Sequence, residues 1–187
     1  DVLHEHALED RADSMELHPE VDFGVFQCVL FREEPGDTSL LLNRATEEDD
    51  LVRLLRGDCP WCVLNPVYRR EALKRVGPWD ESLASWQDWD LHVRALVAGL
   101  SYRRFAGGVA YCRRPVQTHE SIGRKAFTGR HVASRVKLLR KVERLIRETD
   151  KWTREHAEAL GGLYFWHAWN WAQLKRLDRA NRLWREA

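Results

Sequence analysis

Methionine occurs once in this 187-residue chain and proline six times, and no apolar run approaches the roughly 20 residues that a membrane-spanning helix needs. The missing run excludes a helical membrane span. Low-complexity tracts and internal repeats are also absent, and 44% hydrophobic with 32% charged residues is the balance of a folded chain with a real core. At this length the chain makes one good core, or one domain plus an appendage. Cysteine is scarce. Of Cys28, Cys59, Cys62 and Cys112, the pair in Cys59-Pro60-Trp61-Cys62 has redox-motif spacing, but no second such pair completes a zinc site and no strand-to-helix junction precedes it. The four read as small residues of a reduced core.

The net charge of +1 conceals a division. Residues 1–124 carry 15 Lys/Arg against 22 Asp/Glu, net −7, while residues 125–187 carry 15 against 7, net +8. This sign change marks two units, 1–124 and 125–187. The basic stretch mixes its cations with Glu and lacks a base-reading motif, which argues against nucleic acid and leaves an anionic membrane surface as a partner.

Along the chain the pattern alternates, which predicts an α/β fold. Leu3, Ala7, Leu8, Ala12 and Met15 share a helical face within 2–17, and Phe23 to Phe31 is a strand apolar on both sides. Glu33 to Asp37 is turn chemistry that returns into 39–42. Thr46 with Asp49 makes a capping box for a short helix closed by Gly57. A strand is expected over Trp61 to Leu64, helices from Arg70 to Val76 and from Gln87 to Ala98, and strands over 102–105 and 109–112. From Gly129 the pattern is helical only. Val132, Val136, Leu139, Val142 and Ile146 form one face, and Tyr164, Ala168, Trp171, Ala180, Trp184 and Ala187 have the spacing of a single tetratricopeptide-like hairpin, which needs something to pack against.

The most informative run is Val76-Gly77-Pro78-Trp79-Asp80-Glu81-Ser82-Leu83, then Trp86-Gln87-Asp88-Trp89-Asp90-Leu91-His92-Val93-Arg94. It places a carboxylate between two indoles at the mouth of an amphipathic helix. Ser85-Trp86-Gln87-Asp88 fits a capping box, in which Asp88 satisfies a backbone N–H. A carboxylate fixed at a helix N-terminus also stays ionised, as a general base must. Trp86 reads equally as a sugar platform or as core, Trp89 as core, and Asp90 with Arg94 as an ordinary i, i+4 ion pair.

This run resembles the second half of the inverting family 2 glycosyltransferases of the GT-A fold, whose signature joins a "GgfDEsl" loop to an "(E/Q)DwDLwlR" helix. The resemblance extends to Asp1-Val2-Leu3-His4, His18-Pro19-Glu20-Val21-Asp22-Phe23 and Pro66-Val67-Tyr68-Arg69-Arg70, and spans residues 1–122. It implies a C-terminal half of a GT-A domain, the acceptor side, with the nucleotide-binding half upstream and a helical tail behind. It further implies transfer of a sugar from a nucleotide-sugar donor to a carbohydrate or lipid-linked acceptor in the cytoplasm, at the inner face of the membrane, with a divalent cation, Mg or Mn. By the same resemblance Asp88 is the base and Gln87, standing for the usual Glu, bears on acceptor contacts; Trp86, as an aromatic face, reads as an acceptor platform, and Asn65 before Pro66 reads as lining the acceptor cleft from a strand end or equally as a turn-former. Arg113, Arg114 and Ser121 meet the donor diphosphate, and Asp1 with His119 meets the metal. The competing expectation is a non-catalytic interaction module that presents the Trp-rich helical tail to a protein partner.

Overall fold

A computed structural model describes residues 1–114 and 127–187. It is mixed α/β, with a four-stranded sheet and, among the described residues, seven helices. The chain divides into two compact units that interleave in sequence. The sheet unit takes residues 1–47, 59–78 and 98–120, and the helical unit takes 48–58, 79–97 and 121–187. The segments 48–58 and 79–97 thus belong with the tail helices.

The sheet unit comprises β1 (Val2–Leu3), α1 (Ala7–Leu17), β2 (Phe23–Phe31), then, beyond α2 (Asp50–Arg56) of the other unit, β3 (Pro66–Tyr68) and α3 (Arg70–Val76), and after α4 (Gln87–Val97) of the other unit β4 (Tyr102–Arg113). The strand order is β1-β4-β2-β3. Only the central β2–β4 pair is parallel. On one side of β2, Phe23 stacks between Tyr68 and Tyr102 at 4.6 and 5.0 Å; on the other, Phe26 stacks on Phe105 at 5.0 Å beside Met15 and Val21. Buried Arg11 spans this second face, donating to the Gly108 and Leu64 carbonyls at 2.8 and 2.9 Å. Gly108 has φ 60°, and a Cβ there would meet Arg11 Cγ at 2.6 Å, so a side chain is excluded twice over.

Three expectations change in this unit. Strand pairing begins at Pro66 and not at Trp61, because residues 63–65 turn, leaving Val63 exposed while Trp61 is buried. Pro66 is tolerable there because β3 is an edge strand. The helix at the start begins at Ala7 and buries Ala7, Arg11 and Met15, one residue per turn, so Leu8 lies in solvent. Strands 102–105 and 109–112 are one strand, with a register shift against β2 between Phe26 and Cys28.

The helical unit comprises α2, α4, α5 (Gly129–Arg147), α6 (Arg154–Gln173) and α7 (Leu177–Trp184). The capping box expected from Thr46 is not the cap of α2: Asp49 is itself the N-cap, its side chain accepting from Val52 N–H at 2.9 Å, and Gly57 closes the helix at φ 85°. The predicted face of α5 is buried throughout, and with Leu54, Leu55, Val93, Leu160 and Trp171 it forms one core. Tyr164, Ala168 and Ala180 join it, with α6 packed on α2 and α5 and α7 packed on α6, while Trp184 remains 61% exposed. No helix among the described residues is long and apolar enough to cross a membrane.

Candidate active site at the start of helix α4

Helix α4 opens from Trp86, whose φ of 67° lies in the left-handed region that bulky residues avoid. A backbone held there costs of order 1–2 kcal/mol and persists only where its surroundings fix it. The indole supplies that constraint. The Arg135 guanidinium sits 4.8 Å over it, Trp166 lies parallel at 6.3 Å, and Trp89 and His167 approach at 5.4 and 5.3 Å.

Asp88, half-buried in the first turn, accepts from Trp89 N–H at 2.9 Å through Oδ1. Its Oδ2 meets no described residue. The expected capping box with Ser85 is not formed, because the first helical bond runs from Asp90 N–H to the Trp86 carbonyl and the Ser85 hydroxyl is taken by Arg135 Nε at 2.9 Å. Gln87 folds back to the Leu83 carbonyl at 3.0 Å, and Trp89 donates its indole N–H to the Leu54 carbonyl at 2.9 Å, which makes it core.

The fully buried carboxylate is Asp90. Its two oxygens accept from Arg94 at 2.8 Å and Lys141 at 3.0 Å, and Lys141 also reaches Asp80 at 2.8 Å. That ammonium hydrogen bond, with the Ser82 hydroxyl second, holds Asp80 down at about 2. The base of the loop and the first turn of α4 are therefore tied to α5, which orients Asp88 without touching it.

Sequence reasoning missed the polar groups behind Trp86. Arg135 is 4% exposed, with Val132, Val136 and Leu139 on its own face of α5; its i+3 spacing from Val132 was the signal. His167 is fully buried with neither ring nitrogen hydrogen-bonded, and Asn170 Nδ2 is likewise orphaned. Burial first, and the Arg135 charge second, push the imidazole down to about 3, so it is neutral at physiological pH.

The other candidates belong to the sheet unit. Asn65 is corrected from the acceptor-facing role: it is fully buried, with its amide donating to the Phe26 carbonyl and accepting from Cys62 N–H, both at 2.7 Å. Asn43 donates to that same carbonyl at 2.9 Å, so the two asparagines fasten the irregularity in β2. Asp1, Arg113 and Arg114 do come together at one end of the sheet. Asp1 accepts from Arg113 N–H at 3.0 Å, Arg114 N–H donates to the Phe31 carbonyl at 2.8 Å, and the exposed Arg113 guanidinium lies 5.1 Å over Phe31. His119 and Ser121 lie outside the described residues. Among the described residues no three His, Cys, Asp or Glu side chains gather as a metal site would require, so Asp1 brings a single carboxylate. Cys28 is buried, whereas Cys59 is exposed and turns to the Trp61 carbonyl; no disulfide joins the four.

Comparisons with protein-family models, with curated proteins and with solved structures find no match to this chain.

Proposed function

We propose that this chain is the acceptor-side half of an inverting sugar transferase, a GT-A-like partial domain followed by a tetratricopeptide-like helical tail, with Asp88 as general base. One observation carries the reading: a half-buried carboxylate at a helix start, restrained by one backbone N–H, with its second oxygen unused by any described residue. The resemblance of Arg69 to Arg94 to the family signature supports the same assignment.

In the proposed step an acceptor hydroxyl gives its proton to Asp88 Oδ2 while its oxygen bonds the anomeric carbon of a nucleotide-sugar from the side opposite the leaving group. The bond from that carbon to the diphosphate oxygen breaks, and the nucleoside diphosphate departs with the electron pair. Arg113 and Arg114 are the proposed partners of that charge. Trp86 is proposed to border the acceptor with its exposed portion, and Gln87 to do so through the amide oxygen left free by its bond to Leu83. A divalent cation would neutralise the diphosphate; the described residues do not by themselves make its site, and no step is routed through it. The proposed setting is the cytoplasmic face of an anionic membrane, motivated by the net +8 of residues 125–187.

A second reading has its own support. Phe165, Trp169 and Trp184 are all about half exposed or more, and Phe165 meets Trp184 edge-on at 5.0 Å, an aromatic surface suited to a protein partner. Turnover separates the two. Residues 1–187 alone are expected to be inactive, so the test uses the chain joined to the expected upstream nucleotide-binding half: sugar transfer from a panel of nucleotide-sugars that is lost in Asp88→Asn supports the enzyme, and no turnover with any donor supports the interaction module.

A further inference from the structure

A cavity of about 240 Å³ opens between α5, α6 and α7, and its lining is chemically lopsided. Its floor is apolar, made by the buried Val136, Trp171 and Leu183. Three arginines rim it. Arg179 and Arg182 come from α7, where a spacing of three puts them on one face with Leu183, and Arg140 comes from α5, one turn beyond Val136.

The charges do not cancel. Glu186 is the carboxylate at this rim, and Arg140 takes both its oxygens, at 2.9 and 2.6 Å. Arg179 lies 4.8 Å over the Trp171 ring, which holds its guanidinium at the mouth, and neither Arg179 nor Arg182 has an acidic partner among the described residues. Asp178, the adjacent acid, pairs with Arg176 at 3.7 Å. Two guanidinium groups are thus left over above an indole floor.

We propose that this cavity binds a phosphoryl dianion, as a phosphomonoester or a diphosphate. Two planar, permanently charged forks suit the oxygens of a phosphoryl group, and their combined charge matches a dianion. The cavity lies within the helical unit and is independent of the reading of Asp88. The ligand is either a soluble phosphate or the headgroup of a phospholipid.

Titration calorimetry with inorganic pyrophosphate at low ionic strength tests the site directly. Binding with a Kd of about 1 mM or tighter is expected, weakening with added salt. Arg179→Gln and Arg182→Gln should each weaken it by about tenfold or more, with unchanged melting temperatures because both side chains are exposed. Glu186→Gln should strengthen it, since the carboxylate at the rim is removed. Cosedimentation with phosphatidylcholine vesicles containing phosphatidic acid separates the sources: retention that pyrophosphate competes away and Arg182→Gln abolishes identifies a lipid headgroup, and pyrophosphate binding without vesicle retention identifies a soluble ligand. No pyrophosphate binding at about 10-fold above the expected Kd, or binding untouched by both arginine substitutions, overturns the proposal.

Discussion

The two units use their buried polar groups differently. In the sheet unit Arg11, Asn43 and Asn65 all bond backbone carbonyls, at the irregularity in β2, at left-handed Gly108 within β4 and at the Leu64 loop. In the helical unit Trp89 and His156 also bond backbone groups, but most buried polar side chains meet one another or leave atoms unpaired: Asp90 with Lys141 and Arg94, Arg135 with Ser85 and Trp86, His167 and Asn170 Nδ2 unpaired. Buried polarity in the first unit is explained by the fold. In the second, Asp90, Lys141 and Arg135 tie helices and loop together, while both nitrogens of His167 and Asn170 Nδ2 stay buried without a hydrogen bond. Charge follows the same division: by sequence the sheet unit has 11 Lys/Arg against 14 Asp/Glu, the helical unit 19 against 15.

Breaking the structural asparagine should have the larger effect on stability. Asn65→Ala removes a donor to the Phe26 carbonyl and orphans Cys62 N–H in a dry site, for a loss of about 2–4 kcal/mol in urea unfolding. A loss below about 0.5 kcal/mol would mean the bulge is held by Asn43 alone. Lys141→Met tests the helical counterpart. Asp90 keeps Arg94, so the expected loss is about 1–3 kcal/mol, and an unchanged unfolding midpoint would contradict a bridging role for Lys141.

The histidine sharpens the comparison through pH. His92 and His167 are both held down at about 3 by burial, in the case of His167 with the Arg135 charge as a second cause. The unfolded imidazoles take up protons near pH 6.5 and the folded ones do not. Stability is therefore full above about pH 6.5 and falls as pH drops toward about 3, by about 1.4 kcal/mol per unit for each histidine. Between about pH 7 and pH 5, His167→Gln should lose about 2 kcal/mol less than the wild type. Equal losses would show that the imidazole protonates in the folded state.

Local features were legible in the sequence where they rest on local physics. Gly57 as a stop, the apolar face of α5 and the nine apolar-rich residues of β2 all follow from spacing and propensity, whereas the same reading puts the cap of α2 on Thr46, one turn before Asp49. Trp61 to Leu64 misled because an apolar run does not say whether it is paired: Trp61 is buried from a loop, and the chain turns so that Asn65 can reach Phe26. The interleaving of the units was also hidden. Leu51, Leu54 and Leu55, or Val93 and Val97, show which face of a helix is apolar but not which helix covers it. For the site, the sequence pointed to Asp88 and Trp86. The groups that fix them, Arg135, Lys141 and His167, come from α5 and α6, far along the chain, and carry no motif.

What remains decisive is whether Asp88 is a base or only a cap. Asp88→Asn keeps the acceptor oxygen for Trp89 N–H but cannot take a proton from a sugar hydroxyl. If Asp88 is the base, kcat for sugar transfer by the enzyme carrying the expected upstream half falls by about 10²–10⁴ in this variant while stability changes by no more than about 1 kcal/mol, and a Glu81→Gln control measured beside it keeps its turnover. Transfer that survives in Asp88→Asn with only a small loss of stability would contradict that assignment.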